Sequence, residues 1–281
     1  SIGRRLAEKM GLSFVDADHA GGLIELVSDE SIEWGHVWMH IPSRHTDQIR
    51  LVEELVHYRG SKYAMMITAS LQHSTNLLQV CKERGITVDE PFEGAAVGFM
   101  TVLGPSRTYY RELLPKFNNL EQYINRLRLN DSQEEIAKYA SILLEENDYL
   151  LDNPTTSPEN SSSCILLAGY SNYSYLFTGD AGVDALSRVI SDQRLRRLHW
   201  MQIPHHGSKR NINAKLIDHF LPKLAYVSAS GKSGHPGAAV VNAFKTKGSK
   251  LYGTHHPEVS PLWYSIGDVP PRLAYVAATQ L

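Results

Sequence analysis

The sequence predicts an α/β protein in which a β-rich framework carries layered helices, and three observations support this. Short apolar runs recur through the second half, among them SCILLAG, YSYLFTGD and LAYVSAS, as buried strands require. Amphipathic stretches such as NAKLIDHFLPK and GAAVVNAFKTKG alternate with them, which is the order that builds a sheet with helices on its faces. A chain of 281 residues, 42% of them hydrophobic, is also long enough to bury a sizeable core.

Taken in order, IGRRLAEKMG (2–11) has helical periodicity and a closing glycine. Ser13 and Phe14 form a short apolar strand end running into an acidic cluster, and GGLIELVSD then begins a second helix, its glycines marking a turn. IRLVEELVHYRG (49–60) and TNLLQVCKERGI (75–86) are amphipathic helices, the latter closed by Gly85. AVGFMTVLGPS (96–106) reads as one buried strand. Residues 107–160 are charged, helical and then loop-like, and are expected to form a helical insertion or lid within a single domain spanning 1–281. After it come a hairpin turning at Tyr170 to Asn172, a helix from AGVDAL onward, a strand into HHGSK, and a helix–strand–helix–strand series. A last strand is expected at RLAYVAA.

Composition narrows the classes. Two cysteines, Cys81 and Cys164, are too few for a disulfide framework. There is no apolar run of membrane-spanning length and no charged-then-apolar leader, so a cytoplasmic protein without a membrane span is expected. A formal charge of −2 leaves no global footprint for nucleic acid, although RLRRLHW (194–200) and GSKRN (207–211) are locally basic.

The polar groups collect at strand ends. Asp16, Asp18 and His19 follow SFV, Asp180 follows YLFTG, His205 and His206 follow WMQIP, His235 follows LAYVSAS, and His255 and His256 end KLYGT. A sheet assembles a site along one edge in this way. Carboxylate and imidazole without paired thiols suit Zn²⁺, Mn²⁺ or iron, and two carboxylates with several imidazoles could hold two ions. Taken singly, Asp180 also suits a helix N-cap and the histidine pair also suits a loop satisfied by backbone. His36, His40, His45, His57, His73, His199 and His219 read as surface or core residues, although His40 and His45 lie in a loop that could border the site.

The ordered series DADHAGG, NSSSCILL, LFTGDAG, IPHHGSK, VSASGKSGHP and KLYGTHH resembles the metallo-β-lactamase fold hydrolases, in particular the C-terminal cytoplasmic domain of ComEC-type DNA-uptake competence proteins. The resemblance covers roughly residues 13–35 and 160–258. It implies an αββα sandwich whose N-terminal half is incomplete here, since only residues 1–13 precede the first motif. Laid on the family's H-x-H-x-D-H motif, Asp18 and His19 match, Asp16 replaces a histidine with an oxygen ligand, and Phe14 replaces the other with a side chain that cannot bind metal. The resemblance further makes Asp180 the bridging carboxylate and places His205 or His206 at the metal. It sets Asn160 to Ser163 where other branches carry a further histidine, and makes His235 a substrate-side histidine.

Two functions follow as expectations. One is a zinc- or manganese-dependent phosphodiesterase or nuclease, with Asp16, Asp18, His19, Asp180 and His205 or His206 as ligands. In it His235 and Lys209 face the phosphate or leaving oxygen of a nucleic acid or nucleotide. The other is a metal-poor relative serving as a binding or assembly subunit, favoured by Phe14 and by a segment, 107–150, able to dock on a protein partner.

Overall fold

Two sheets divide the strands, and each packs helices on one face. The computed structural model describes residues 12–13, 17–46, 74–119, 149–229, 235–253 and 279–280. The expected helices at 2–11 and 49–60, Phe14, Asp16, His255, His256 and the strand at RLAYVAA lie outside them.

The smaller sheet is parallel: β1 (Leu12–Ser13), β2 (His36–Met39) and β3 (Thr87–Asp89), with β2 in the middle. Helix α1 (Ala17–Ser28) and the helical residues 74–83, α2, bury Leu23, Val27, Leu77 and Cys81 against Val37 and Met39 of β2. The expected glycine turn is helix instead. Gly21 and Gly22 are inside α1, where each costs about 1 kcal/mol relative to Ala, and the apolar face formed by Leu23 and Val27 holds the helix together. Gly85 does close α2, at φ +68°. Its N–H donates to Lys82 O and that of Ile86 to Cys81 O, at 3.2 and 2.8 Å, the paired bonds of a left-handed helix stop. Arg84 then reaches across to the end of α1, donating to the carbonyls of Val27, Asp29 and Ile32.

The larger sheet runs β11-β10-β9-β8-β7-β6-β5-β4. The apolar stretch 96–106 is a hairpin, β4 (Ala96–Val97) and β5 (Met100–Gly104), rather than one strand. Gly98 at φ +60° permits the reversal and leaves Phe99 exposed at its tip. Next come α3 (Arg107–Leu113), capped by the Ser106 hydroxyl, and a 3₁₀ turn over Leu114–Asn119. Tyr110, Leu113, Leu114 and Phe117 of this segment are buried in the main core. The loop expected at 152–163 contains a short helix, α4 (Pro158–Ser161).

β6 (Ile165–Tyr170) and β7 (Tyr173–Phe177) form the expected hairpin, turning at Ser171 and Asn172. From β7 the sheet is parallel through β8 (Trp200–Gln202), β9 (Leu224–Val227) and β10 (Lys250–Gly253). The connecting helices are α5 (Val183–Val189), α6 (Ala214–Phe220) and α7 (Ala238–Thr246). β11 (Thr279–Gln280) pairs antiparallel at the far edge. Parallel strands are covered on both faces, and β6 shows it: Ile165 and Leu167 face the helices, while Leu166 and Ala168 join Val102 in a second cluster against which Trp38 of β2 packs. Among the described residues no helix is long and apolar enough to cross a membrane.

His40, read from the sequence as a surface or core residue in a loop that could border the site, is a core residue. It is 2% exposed, stacks on Tyr110 at 4.7 Å and donates from Nε2 to Pro91 O at 3.2 Å. Burial pulls its pKa down to about 3, His45 and Arg107 adding to the shift against the Pro91 bond. The unfolded chain takes up this proton below about pH 6.5 and the folded one does not until about pH 3, so stability falls as pH drops across that window. Denaturant titrations should show this as about 1 kcal/mol per pH unit, and His40→Phe should remove that component of the slope while lowering stability at pH 7.5, where Pro91 O loses its donor.

Candidate functional site

The C-terminal ends of β7, β8 and β9 lie along one edge of the large sheet because these strands are parallel. That edge gathers Asp180, His205 and His235. Asp180 leaves β7 through a tight turn with Gly179 at φ +52°. Gln202 of β8 holds this turn, its Oε1 accepting from Thr178 N and Gly179 N and its carbonyl from the Thr178 hydroxyl. The Asp180 backbone is fixed further: its N–H donates to Ser163 Oγ at 3.2 Å and its carbonyl accepts from Asn211 Nδ2 at 2.7 Å. Its side chain is buried and is not a helix cap, since Gly182 holds the N-cap position of α5.

His205 and His206 leave β8 with φ of 45° and 54°, and Gly207 follows at +81°. Left-handed backbone at two successive side-chain-bearing residues stores strain of about 1–3 kcal/mol each, a feature concentrated at functional sites. The turn points the two rings differently. His206 Nδ1 donates to Ser228 O. His205 Nδ1 lies 3.0 Å from Asn211 Oδ1, and its Nε2 lies 3.8 Å from Asp180 Oδ2.

Asn211 orients the His205 ring. A carbonyl can only accept, so the Asn211 amide nitrogen faces Asp180 O and its oxygen faces His205. That contact places a proton on His205 Nδ1 and turns Nε2 toward the Asp180 carboxylate. This is the outer support that a metal-ligating imidazole uses to fix its orientation. Asn160 Nδ2, 3.2 Å from the same ring nitrogen, donates to Thr156 Oγ1 at 3.0 Å.

His235 completes the edge. Its ring centroid is 6.0 Å from that of His205, and its buried Nδ1 has no hydrogen-bond partner among the described residues. Burial lowers its pKa, the neighbouring imidazoles of His205 and His206 add to this, and Asp180 opposes it. Lys209 is half-buried two residues after Gly207. Asp18 and His19 are placed in the first turn of α1, a helix that follows β1; their side chains, like Asp16, lie outside the described residues. Among the described residues no group of three His, Cys, Asp or Glu is arranged around one ion. At this edge Asp180 and His205 approach each other, Oδ2 to Nε2 at 3.8 Å.

Asn211, Gln202 and Thr156 were not singled out from the sequence. Asn211 had one signal: in RNINAKLI, Asn213 caps α6, which leaves Asn211 without a local task in an apolar setting, and it is fully buried.

No family model matches this chain. Over 77 residues, 27% of its length, it is 34% identical to Recombination protein 2 of Haemophilus influenzae, and the match spans 10% of that protein.

Two substitutions test the geometry. A Cβ on Gly207 would come within 2.6 Å of Pro236 Cβ and require a left-handed alanine, so Gly207→Ala should lose about 2 kcal/mol or more in thermal or denaturant unfolding. In ¹⁵N NMR of the metal-free protein His205 should be the Nδ1–H tautomer, and Asn211→Ala should shift it toward Nε2–H while destabilising the fold by about 1–3 kcal/mol.

Proposed function

We infer that this edge is the centre of a metal-dependent hydrolase of phosphodiesters, of phosphodiesterase or nuclease type. The observation that carries the reading is the buried Asp180 carboxylate facing His205 Nε2 at 3.8 Å, with the opposite ring nitrogen held by Asn211. A carboxylate and an imidazole, both positioned and both without thiol neighbours, fit Zn²⁺ or Mn²⁺. In this reading Asp180 and His205 hold the ion together with Asp18 and His19, and Asp16 adds an oxygen. His205 is preferred over His206 because its Nε2 is the one turned to Asp180. The ion would supply a nucleophile at neutral pH by lowering the pKa of a water to about 7.

The protein's own groups account for the rest. The lowered pKa of His235 keeps its ring neutral near pH 7, the form in which an imidazole on the substrate side can accept a proton or a hydrogen bond. The Lys209 ammonium suits a non-bridging oxygen. The fold reading, a metallo-β-lactamase-type αββα sandwich, draws support from α1 and α2 on one face of the small sheet, Trp38 between the sheets, and α5, α6 and α7 against the far face of the large one. The partial match to a protein named for recombination favours nucleic acid among phosphodiesters. Phe14, at a position where the family places a ligand, is the observation on the other side, and it favours a binding or assembly subunit.

Hydrolysis of bis(4-nitrophenyl) phosphate and of a labelled oligonucleotide in Mn²⁺ or Zn²⁺ separates the two readings. The hydrolase reading expects turnover that EDTA abolishes and that Asp180→Asn or His205→Asn lowers by more than about 100-fold with the fold intact. Absence of turnover in the wild type with either metal would leave the binding-subunit reading.

A further inference from the structure

We propose that the opposite edge of the large sheet, where its parallel strands begin, is a docking track for single-stranded nucleic acid. Strand order places the residues. From β5 to β10 that edge presents in turn Phe99, Tyr170, Tyr173, the 190–199 connection, Lys223 and Lys250. At about 4.8 Å between neighbouring strands, the row extends over about 24 Å.

Its chemistry is divided along its length. Phe99, Tyr170 and Tyr173 are 67%, 65% and 45% exposed, three of the five large hydrophobic side chains that the described surface leaves open. Tyr173 is braced by His199, ring centroids 4.2 Å apart, and so presents a supported aromatic face. The other half is cationic. The connections into β8, β9 and β10 carry Arg194, Arg196, Arg197, Lys223 and Lys247, β10 opens on Lys250, and the one carboxylate in these connections is Asp192. Asp192 is bound to Arg194, and Asp218 at the end of α6 is bound to Lys247, each at 2.6 Å. Arg196, Arg197, Lys223 and Lys250 are exposed and have no ion pair among the described residues. Concentrating unneutralised cations at one edge of a chain with net charge −2 calls for an anionic partner, and a linear array calls for a linear one. Phosphates spaced along a strand match the cations, and unstacked bases match the open aromatic rings. A duplex hides those faces, which is why the single strand is the favoured form.

This proposal does not rest on the hydrolase reading, and its test is run in EDTA so that cleavage plays no part. Fluorescence anisotropy of labelled oligo(dT) and oligo(U) is measured against salt for the wild type, for Lys223→Ala/Lys250→Ala, and for Tyr170→Ala/Tyr173→Ala. The expected result is binding by the wild type at low salt, weakened about tenfold by either pair. The lysine pair should also make the slope of log K against log salt shallower by about 1.4, or about 0.7 for each phosphate that is no longer neutralised. All these side chains are exposed, so the unfolding midpoints should stay at the wild-type value and mark each variant as folded. Wild-type protein that fails to bind either oligonucleotide, or variants that bind as the wild type does, would overturn the proposal. So would wild-type protein that sediments with anionic phospholipid vesicles through these residues while ignoring the oligonucleotides.

Discussion

The interaction on which the site depends is the double hydrogen bond of Asn211. One carboxamide donates to the main chain of Asp180 and accepts from the ring of His205. It therefore sets the position of a carboxylate that follows one strand and the orientation of an imidazole that follows the next. Because the amide is buried, neither bond competes with water, and losing either would strand a polar group in the core. The strained turn at His205 and His206 makes sense beside it. Without left-handed backbone at these positions the chain would leave β8 in another direction, and Nε2 of His205 would not face Asp180.

Parallel pairing has a second consequence. All four strands from β7 to β10 run the same way, so whatever follows a strand meets at one edge and whatever precedes it meets at the other. Asp180, His205 and His235 fall at the first edge, and Arg196, Arg197, Lys223, Lys250 and the exposed tyrosines at the second. The core between them is apolar, from Leu176 through Met201 to Ala225 and Val227, and keeps the two chemistries apart. A chain with almost no net charge can in this way carry a strongly cationic strip.

Much of this is legible in residue order. Strand runs ending in Asp180 and in the His205–His206 pair announce the edge, and the Ser171–Asn172 hairpin follows from its flanking apolar runs. The misreadings have local causes. Gly21 and Gly22 look like a turn because glycine is a poor helix former, but burial of Leu23 and Val27 outweighs that preference. Stretch 96–106 looks like one strand because its apolar content is continuous, whereas Gly98 reverses it. Asn211 and Gln202 are hidden for a different reason. Gln202 acts on Thr178, 24 residues away, and Asn211 on Asp180, 31 residues away, and spacing along the chain carries no trace of such bonds.

The most direct test is calorimetric titration of Zn²⁺ and Mn²⁺ into metal-free protein, comparing the wild type with Asp180→Ala, His205→Ala and Lys209→Ala. If Asp180 and the oriented Nε2 of His205 form the metal site, the wild type and Lys209→Ala take up metal and the other two variants bind it at least about tenfold more weakly. A wild-type protein that takes up neither ion, or uptake equal in all four proteins, would contradict the account.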